Sequence, residues 1–246
     1  CGKGGCGKST IAVLMSRTFA GMGRRVLLVD ADESNVGLHR LTGTAPAATL
    51  LEILGGRSAL RPKSRDPFAA ACHLFYDQPF ALEDIPENCT PGVDGVRLLK
   101  IGKIQHFGEG CACPMGALSR EFLNKLRLDE NEIAIVDMEA GIEHFGRGLD
   151  AGIDSVVLVV EPSYESLSLS EKIKDLATGM RKSLWAVLNK IDSDSLGSKL
   201  EKELKNRDIE TIGVISYDRG IFTAGLTGNP VRHVQYIRKA EKILDR

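Results

Sequence analysis

The run Gly2-Lys3-Gly4-Gly5-Cys6-Gly7-Lys8-Ser9 fits the spacing G-x-x-x-x-G-K-[ST] in full, and Thr10 with an apolar helical pattern follows it. Glycines at this spacing let main-chain N–H groups curl around phosphate oxygens without Cβ clashes. Lys8 is placed to neutralise β- and γ-phosphates, Ser9 to bind Mg²⁺, and Thr10 to lie near an α-phosphate. The N-terminus of the following helix adds a favourable field for an anion. Gly4, Gly5, Cys6, Gly7, Lys8, Ser9 and Thr10 are therefore the expected phosphate cradle. A bland glycine-rich turn is the competing reading, and a helix beginning where the motif requires it speaks against that.

Carboxylates are the second requirement of phosphoryl chemistry. Val29-Asp30-Ala31-Asp32 ends the apolar run after the loop helix, so both carboxylates should reach the sheet edge beside the phosphates. Ile133-Ala134-Ile135-Val136-Asp137 reads as a Walker B strand, with Asp137 holding a Mg²⁺-bound water, and Met138-Glu139-Ala140-Gly141 as the switch that follows it. A strand-terminal Asp is often only a helix cap; two of them beside a complete phosphate loop make that reading secondary. Cys6 is expected to pack as a small hydrophobe, although its place beside the phosphates makes it a plausible target for oxidation or alkylation.

Six cysteines are too few and too unevenly spaced for a disulfide scaffold of 246 residues. Cys111 and Cys113 form a Cys-x-Cys pair in Glu109-Gly110-Cys111-Ala112-Cys113-Pro114, ahead of a helical pattern. A disulfide between such close thiols is strained, which favours metal. Two thiolates cannot close a four-ligand site alone, but one pair from each protomer of a twofold dimer supplies four sulfurs. The helix N-terminus next to them would favour the thiolate form. His106 is read as a solvated loop residue, with an added metal ligand as the competing reading, and His144 as a hydrogen-bonding partner in the switch after Asp137 sooner than a ligand; Cys72 and Cys89 are not assigned to metal.

The elements that must position these groups follow a β/α rhythm. Strands are expected over 25–30, 96–101, 132–137, 155–160, 184–188 and 210–214, and helices over 8–21, 115–127, 165–180, 195–205 and 232–244. Near-continuous apolar runs predict strands buried on both faces of a mostly parallel twisted sheet, an α/β architecture with helices on both sides. One domain over 1–246 is expected, with an irregular insertion at about 57–95 that is rich in Pro, charge and turn residues. The phosphate loop opens the sequence with no strand before it, so residues upstream of Cys1 are expected. Lys plus Arg total 32 against 33 Asp plus Glu, a net charge of −1 that argues against a nucleic-acid partner. Without a signal peptide or an apolar run of membrane-spanning length, a cytoplasmic protein with no membrane partner is expected.

Lys3, at the start of the loop, resembles the signature lysine of the deviant Walker A motif in the MinD, ParA and nitrogenase iron-protein superfamily. That likeness implies a lysine crossing into the partner's site, so that hydrolysis requires an ATP-bridged dimer. It also places Asp32 where switch I orients the attacking water, and Asn189, after the strand LWAVL, where an amide pairs with adenine. A turn-forming Asn is the competing reading of Asn189. GKGGxGKST, VDAD, GEGCxCP and VDMEAGIEHFGRG together resemble the CooC-type maturation ATPases, over nearly the whole chain. The resemblance implies a homodimer that uses ATP/ADP and Mg²⁺. It also implies one Ni²⁺ or Zn²⁺ bound between protomers, and apo carbon monoxide dehydrogenase or acetyl-CoA synthase as client. An iron–sulfur cluster ATPase is the alternative, since four cysteines across a dimer could equally hold a cluster. A MinD- or ParA-like positioning role would leave the Cys-x-Cys pair unexplained.

Overall fold

The computed structural model describes residues 1–33, 35, 37–56, 78–103, 113–139, 152–231, 237 and 239–244, with the backbone alone at Cys113 and Pro114. Helix α1 (Lys8–Gly21) leaves the phosphate loop and packs on strand β1 (Arg25–Asp30). Two short helices follow, α2 (Leu38–Thr42) and α3 (Leu50–Ile53), and then three strands, β2 (Phe80–Ala81), β3 (Gly92–Val93) and β4 (Val96–Lys100). Helix α4 (Cys113–Lys125) precedes β5 (Leu126–Arg127) and β6 (Glu132–Asp137). The C-terminal part runs β7 (Ser155–Val160), α5 (Tyr164–Gly179), β8 (Ser183–Ile191), α6 (Asp194–Lys205), β9 (Glu210–Ser216) and α7 (Arg219–Thr227).

Strands order as β3-β4-β1-β6 in one ladder and β7-β8-β9 in another, and every pairing except β3 with β4 is parallel. Alternating side chains explain how one strand serves two faces. Val26 and Leu28 of β1 join Ile11, Leu14 and Phe19 of α1, whereas Leu27 and Val29 join Met115, Leu118 and Phe122 of α4. In β8, Ala186 and Leu188 pack with Ile173 of α5 and Leu200 of α6, while Val187 turns to the α1 side. The expected mostly parallel α/β sheet with helices on both faces is the observed fold. Strands β6 and β7 border a cleft of about 500 Å³, lined by Ile133 and Ile135 on one wall and Val157 and Val159 on the other, with Ile11 and Met15 of α1 beneath.

Caps set the element boundaries. Ser163 and Ser193 accept from the main-chain N–H groups of Ser166 and Leu196 at the starts of α5 and α6. Residues 78–95 break the β/α rhythm with short pieces: Phe80–Ala81 pairs with Leu126–Arg127, and Arg97 binds the carbonyls of Leu82 and Ile85. Residues 57–77 lie outside the described residues. That pairing ends α4 at Lys125, two residues before the expected end at 127. The helix expected over 232–244 is also corrected where it is described, since Ala240–Ile243 forms a 3₁₀ turn. Its backbone donors go elsewhere: Ile237 N–H bonds the Thr18 hydroxyl and Lys239 N–H bonds the Ile212 carbonyl. Among the described residues no helix is long and apolar enough to cross a membrane.

Candidate nucleotide site

Gly7 is the N-cap of α1, with a left-handed backbone (φ 95°) and no side chain to cap the helix, so the first N–H groups of α1 are left to the loop. Four contacts shape the loop. Cys6 N–H bonds the Lys3 carbonyl at 3.3 Å, and Lys8 Nζ donates to that carbonyl at 3.4 Å. Asn189 Nδ2 donates to the Cys6 carbonyl at 2.8 Å and Lys190 Nζ to the Gly5 carbonyl at 2.6 Å. The last two residues come from the end of β8, where the register with β9 shifts between Leu188 and Ile191 and Lys190 takes a left-handed φ of 60°. Such a bulge re-aims side chains, and here it turns two of them under the phosphate loop.

Gly7 has no room for a side chain. A Cβ there would lie 2.3 Å from Asn189 Nδ2, on a backbone that L-residues rarely adopt. Gly7→Ala is expected to destabilise the fold by about 2 kcal/mol, lowering Tm by roughly 4–8 °C for a chain of this size. Thermal unfolding checks this, and an unchanged Tm would show that the Asn189 anchor is dispensable.

Opposite the loop, β1 and β6 run in register with Asp30 beside Asp137. The Ser9 hydroxyl hydrogen-bonds the Asp137 carboxylate, yet burial still raises the Asp137 pKa above the usual carboxylate range, with the charge of Asp32 adding to it. Asp137 Oδ2 is buried with no hydrogen-bond partner among the described residues. Asn35 links the next two groups: its Nδ2 lies 3.1 Å from Ser9 Oγ, and its N–H donates to Asp32 Oδ1 at 3.1 Å. Asp30 is more deeply placed, and burial pushes its pKa up to about 6 against the opposing pull of Lys103. Lys103 Nζ lies 2.7 Å from Asp30 Oδ2 and donates to the Asp32 carbonyl.

Lys3 leans on acidic groups of its own chain, 3.4 Å from Glu161 and 3.7 Å from Glu165. Glu161 also binds Lys190 at 2.8 Å, and hydrogen bonds from Lys190 and Lys3 hold its carboxyl below the ordinary range despite partial burial. Cys6 is fully buried and burial pushes its thiol pKa up. It packs as a core residue, in keeping with the expectation of a hydrophobic stand-in.

Lys3, Gly4, Gly5, Cys6, Gly7, Lys8, Ser9, Thr10, Asp32, Asp137 and Asn189 thus gather at one end of the parallel strands. Cys111 lies outside the described residues, as do His106, His144, Gly141 and Cys72, and Cys113 is described only as the first residue of α4. Sequence reading missed Asn35, Lys103, Glu161 and Lys190. The one local signal was the short polar stretch around Asn35; the other three act across long sequence separations.

MinD of Pyrococcus horikoshii OT3, solved complexed with Mg-ADP, shares this fold with a TM-score of 0.64 at 20% identity, covering 100% of this chain and 93% of that one. An uncharacterized ATP-binding protein of Methanocaldococcus jannaschii is 42% identical over 228 residues, 93% of this chain and 90% of the relative. The carbon monoxide dehydrogenase accessory protein CooC of Rhodospirillum rubrum is 33% identical over 230 residues, 92% of this chain and 86% of CooC. The family model described as the CobQ/CobB/MinD/ParA nucleotide binding domain matches residues 1–231. With a phosphate loop, paired strand-end carboxylates and a mostly parallel sheet in place, the chain belongs to the CobQ/CobB/MinD/ParA family of nucleotide-binding domains.

Proposed function

We propose that this chain is an ATP-hydrolysing metallochaperone. It acts as a homodimer that holds nickel between paired Cys111 and Cys113 thiolates and hands it to apo carbon monoxide dehydrogenase or acetyl-CoA synthase. The carrying observation is the end of the phosphate loop, where Ser9 bonds an Asp137 whose second oxygen is buried and has no hydrogen-bond partner among the described residues. The nickel half of the reading is supported by the likeness to CooC over 92% of the chain together with the Cys-x-Cys pair.

Mg²⁺ fits this donor set, because an orphaned carboxylate oxygen beside a hydroxyl asks for a hard cation. Ser9 would ligate the ion and Asp137 would hold it through water. When bound, it supplies charge neutralisation on the β- and γ-phosphates of ATP. The chain's own groups do the rest. Main-chain N–H groups of Gly4, Gly5, Cys6 and Gly7 cradle the phosphates, Lys8 neutralises the oxygens between β and γ, and Thr10 reaches toward α. Asp32 orients the attacking water, and Asn189 serves the base end while anchoring the loop. Lys3 of each protomer stabilises charge on the transferring group in its partner's site, as an arginine finger does. For that step it must leave Glu161 and Glu165.

An anaerobic Ni²⁺ titration of the reduced protein tests the metal half, read by sulfur-to-nickel charge-transfer absorption and by size in solution, without nucleotide and with ADP. One nickel per dimer is expected. The absence of saturable binding in either state would overturn nickel delivery and put the iron–sulfur cluster ATPase in its place.

A further inference from the structure

We propose that Lys103, just beyond β4, is a positioning residue for ATP hydrolysis, its ammonium holding the main chain of Asp32 while neutralising Asp30 behind it. The inference rests on the reading of Asp32 as the group that orients the attacking water.

The side chain of Lys103 is 6% exposed and that of Asp30 1% exposed, with 2.7 Å between their charged atoms. Taking both charges out of water is costly, and an apolar pair of similar volume would pack at least as stably. Packing alone therefore does not account for the pair. What an apolar pair could not do is donate a hydrogen bond to the Asp32 carbonyl, as Lys103 Nζ does. The main chain behind it is already fixed, because Ile101 N–H bonds the Asp30 carbonyl at 3.0 Å and ties the end of β4 to the end of β1.

On its other side Asp32 is held by Asn35, which reaches Ser9 on the phosphate loop. The loop carrying Asp32 is thus pinned between Lys103 and Ser9, with β1 at its root. Three carboxylates, Asp30, Asp32 and Asp137, act electrostatically on one another here, and burial together with these neighbours raises Asp30. A lysine under Asp30 limits their mutual repulsion and keeps Asp32 from backing away from a bound triphosphate.

Lys103→Met tests this, with Asp30→Asn/Lys103→Met as the variant that leaves no unpaired buried charge. Both are compared with Asp32→Ala for kcat, for affinity toward a fluorescent non-hydrolysable ATP analogue, and for Tm. The double variant is expected to keep its Tm and bind the analogue within about 3-fold of the parent. Its kcat should fall about 10- to 100-fold, the scale of a sub-ångström to 1 Å misplacement. In an Asp32→Ala background, Lys103→Met should change kcat no further, because there is no longer a carboxylate to position. A full additional loss in that background would overturn the proposal, as would analogue binding that falls in step with kcat. If Asp32→Ala lowers kcat while the double variant keeps it, the positioning role fails and the reading of Asp32 stands. If Asp32→Ala leaves kcat unchanged, the reading of Asp32 fails and the proposal falls with it.

Discussion

Lys8→Ala is expected to lower kcat for ATP by about 10²- to 10³-fold, the loss typical of removing one preorganised group that meets developing charge in a transition state. The fold should survive. Lys8 is the first residue of α1, where alanine is the better helix former, and among the described residues its ammonium makes one long bond of 3.4 Å, to the Lys3 carbonyl. The change takes one cationic neighbour from the buried Asp137, a lesser loss than that of Asp30, which would lose its contacting countercharge if Lys103 were removed. Steady-state hydrolysis at saturating ATP, beside a thermal melt, separates the two effects. Lys8→Arg is the useful companion, because it keeps the charge but brings a planar fork too large for the turn. Turnover near the parent level in Lys8→Ala would remove the phosphate loop from the reaction and with it the site built around it. A loss in Lys8→Ala that Lys8→Arg does not restore would show that geometry as well as charge is needed there.

The part of this site that was legible in the sequence is the part written in consecutive residues. A loop that wraps phosphate must place its glycines, lysine and hydroxyl at fixed offsets, so Gly2 to Thr10 can be read as one pattern. Asp137 was legible for a similar reason, as the polar end of an otherwise apolar strand. Lys103 carries no such mark. It follows an apolar strand like many surface lysines, and only the fold shows its ammonium reaching Asp32, 71 residues earlier. Lys190 and Asn189 act on the loop across 185 and 183 residues. Their role depends on a bulge that no local pattern announces.

The fold divides along the same line. Strands β1, β6 and β7 match their expected limits because continuous β-branched runs have no other good use in a chain of this composition. Helix α7 was missed because RGIFTAGLT mixes glycine and threonine into a short segment of poor helix formers. Two tertiary-independent signals were nonetheless present: Asp218 caps the N–H groups of Gly220 and Ile221, and Gly228 closes the helix in the left-handed region. Strand β5 is different. Two residues at the end of a helical pattern become a strand only because Phe80–Ala81, far away in sequence, offers them a partner. Long-range pairing decides such boundaries, and propensity does not see it.

Substituting both Cys111→Ser and Cys113→Ser is expected to abolish stoichiometric nickel binding, weakening it by at least about 10³-fold, since all four sulfurs of a shared site are lost together and thiolate ligation supplies most of such binding energy. ATP hydrolysis without metal should be retained, for two structural reasons. Among the described residues, the phosphate loop and its carboxylates are held by Asn35, Lys103, Asn189 and Lys190, and α4 is held to the core by Met115, Leu118 and Phe122 further along. Persistent tight nickel in the double variant would place the ligands elsewhere and contradict the Cys-x-Cys reading. Dilution then separates a shared site from one completed within a single chain. A metal bound between protomers stabilises the dimer, so its apparent affinity must fall when protein is diluted below the dimer dissociation constant, and added nickel must raise the fraction of dimer. A site contained in one chain shows neither effect. Concentration-independent affinity with one nickel per monomer would therefore end the twofold arrangement, even if both cysteines proved to be ligands.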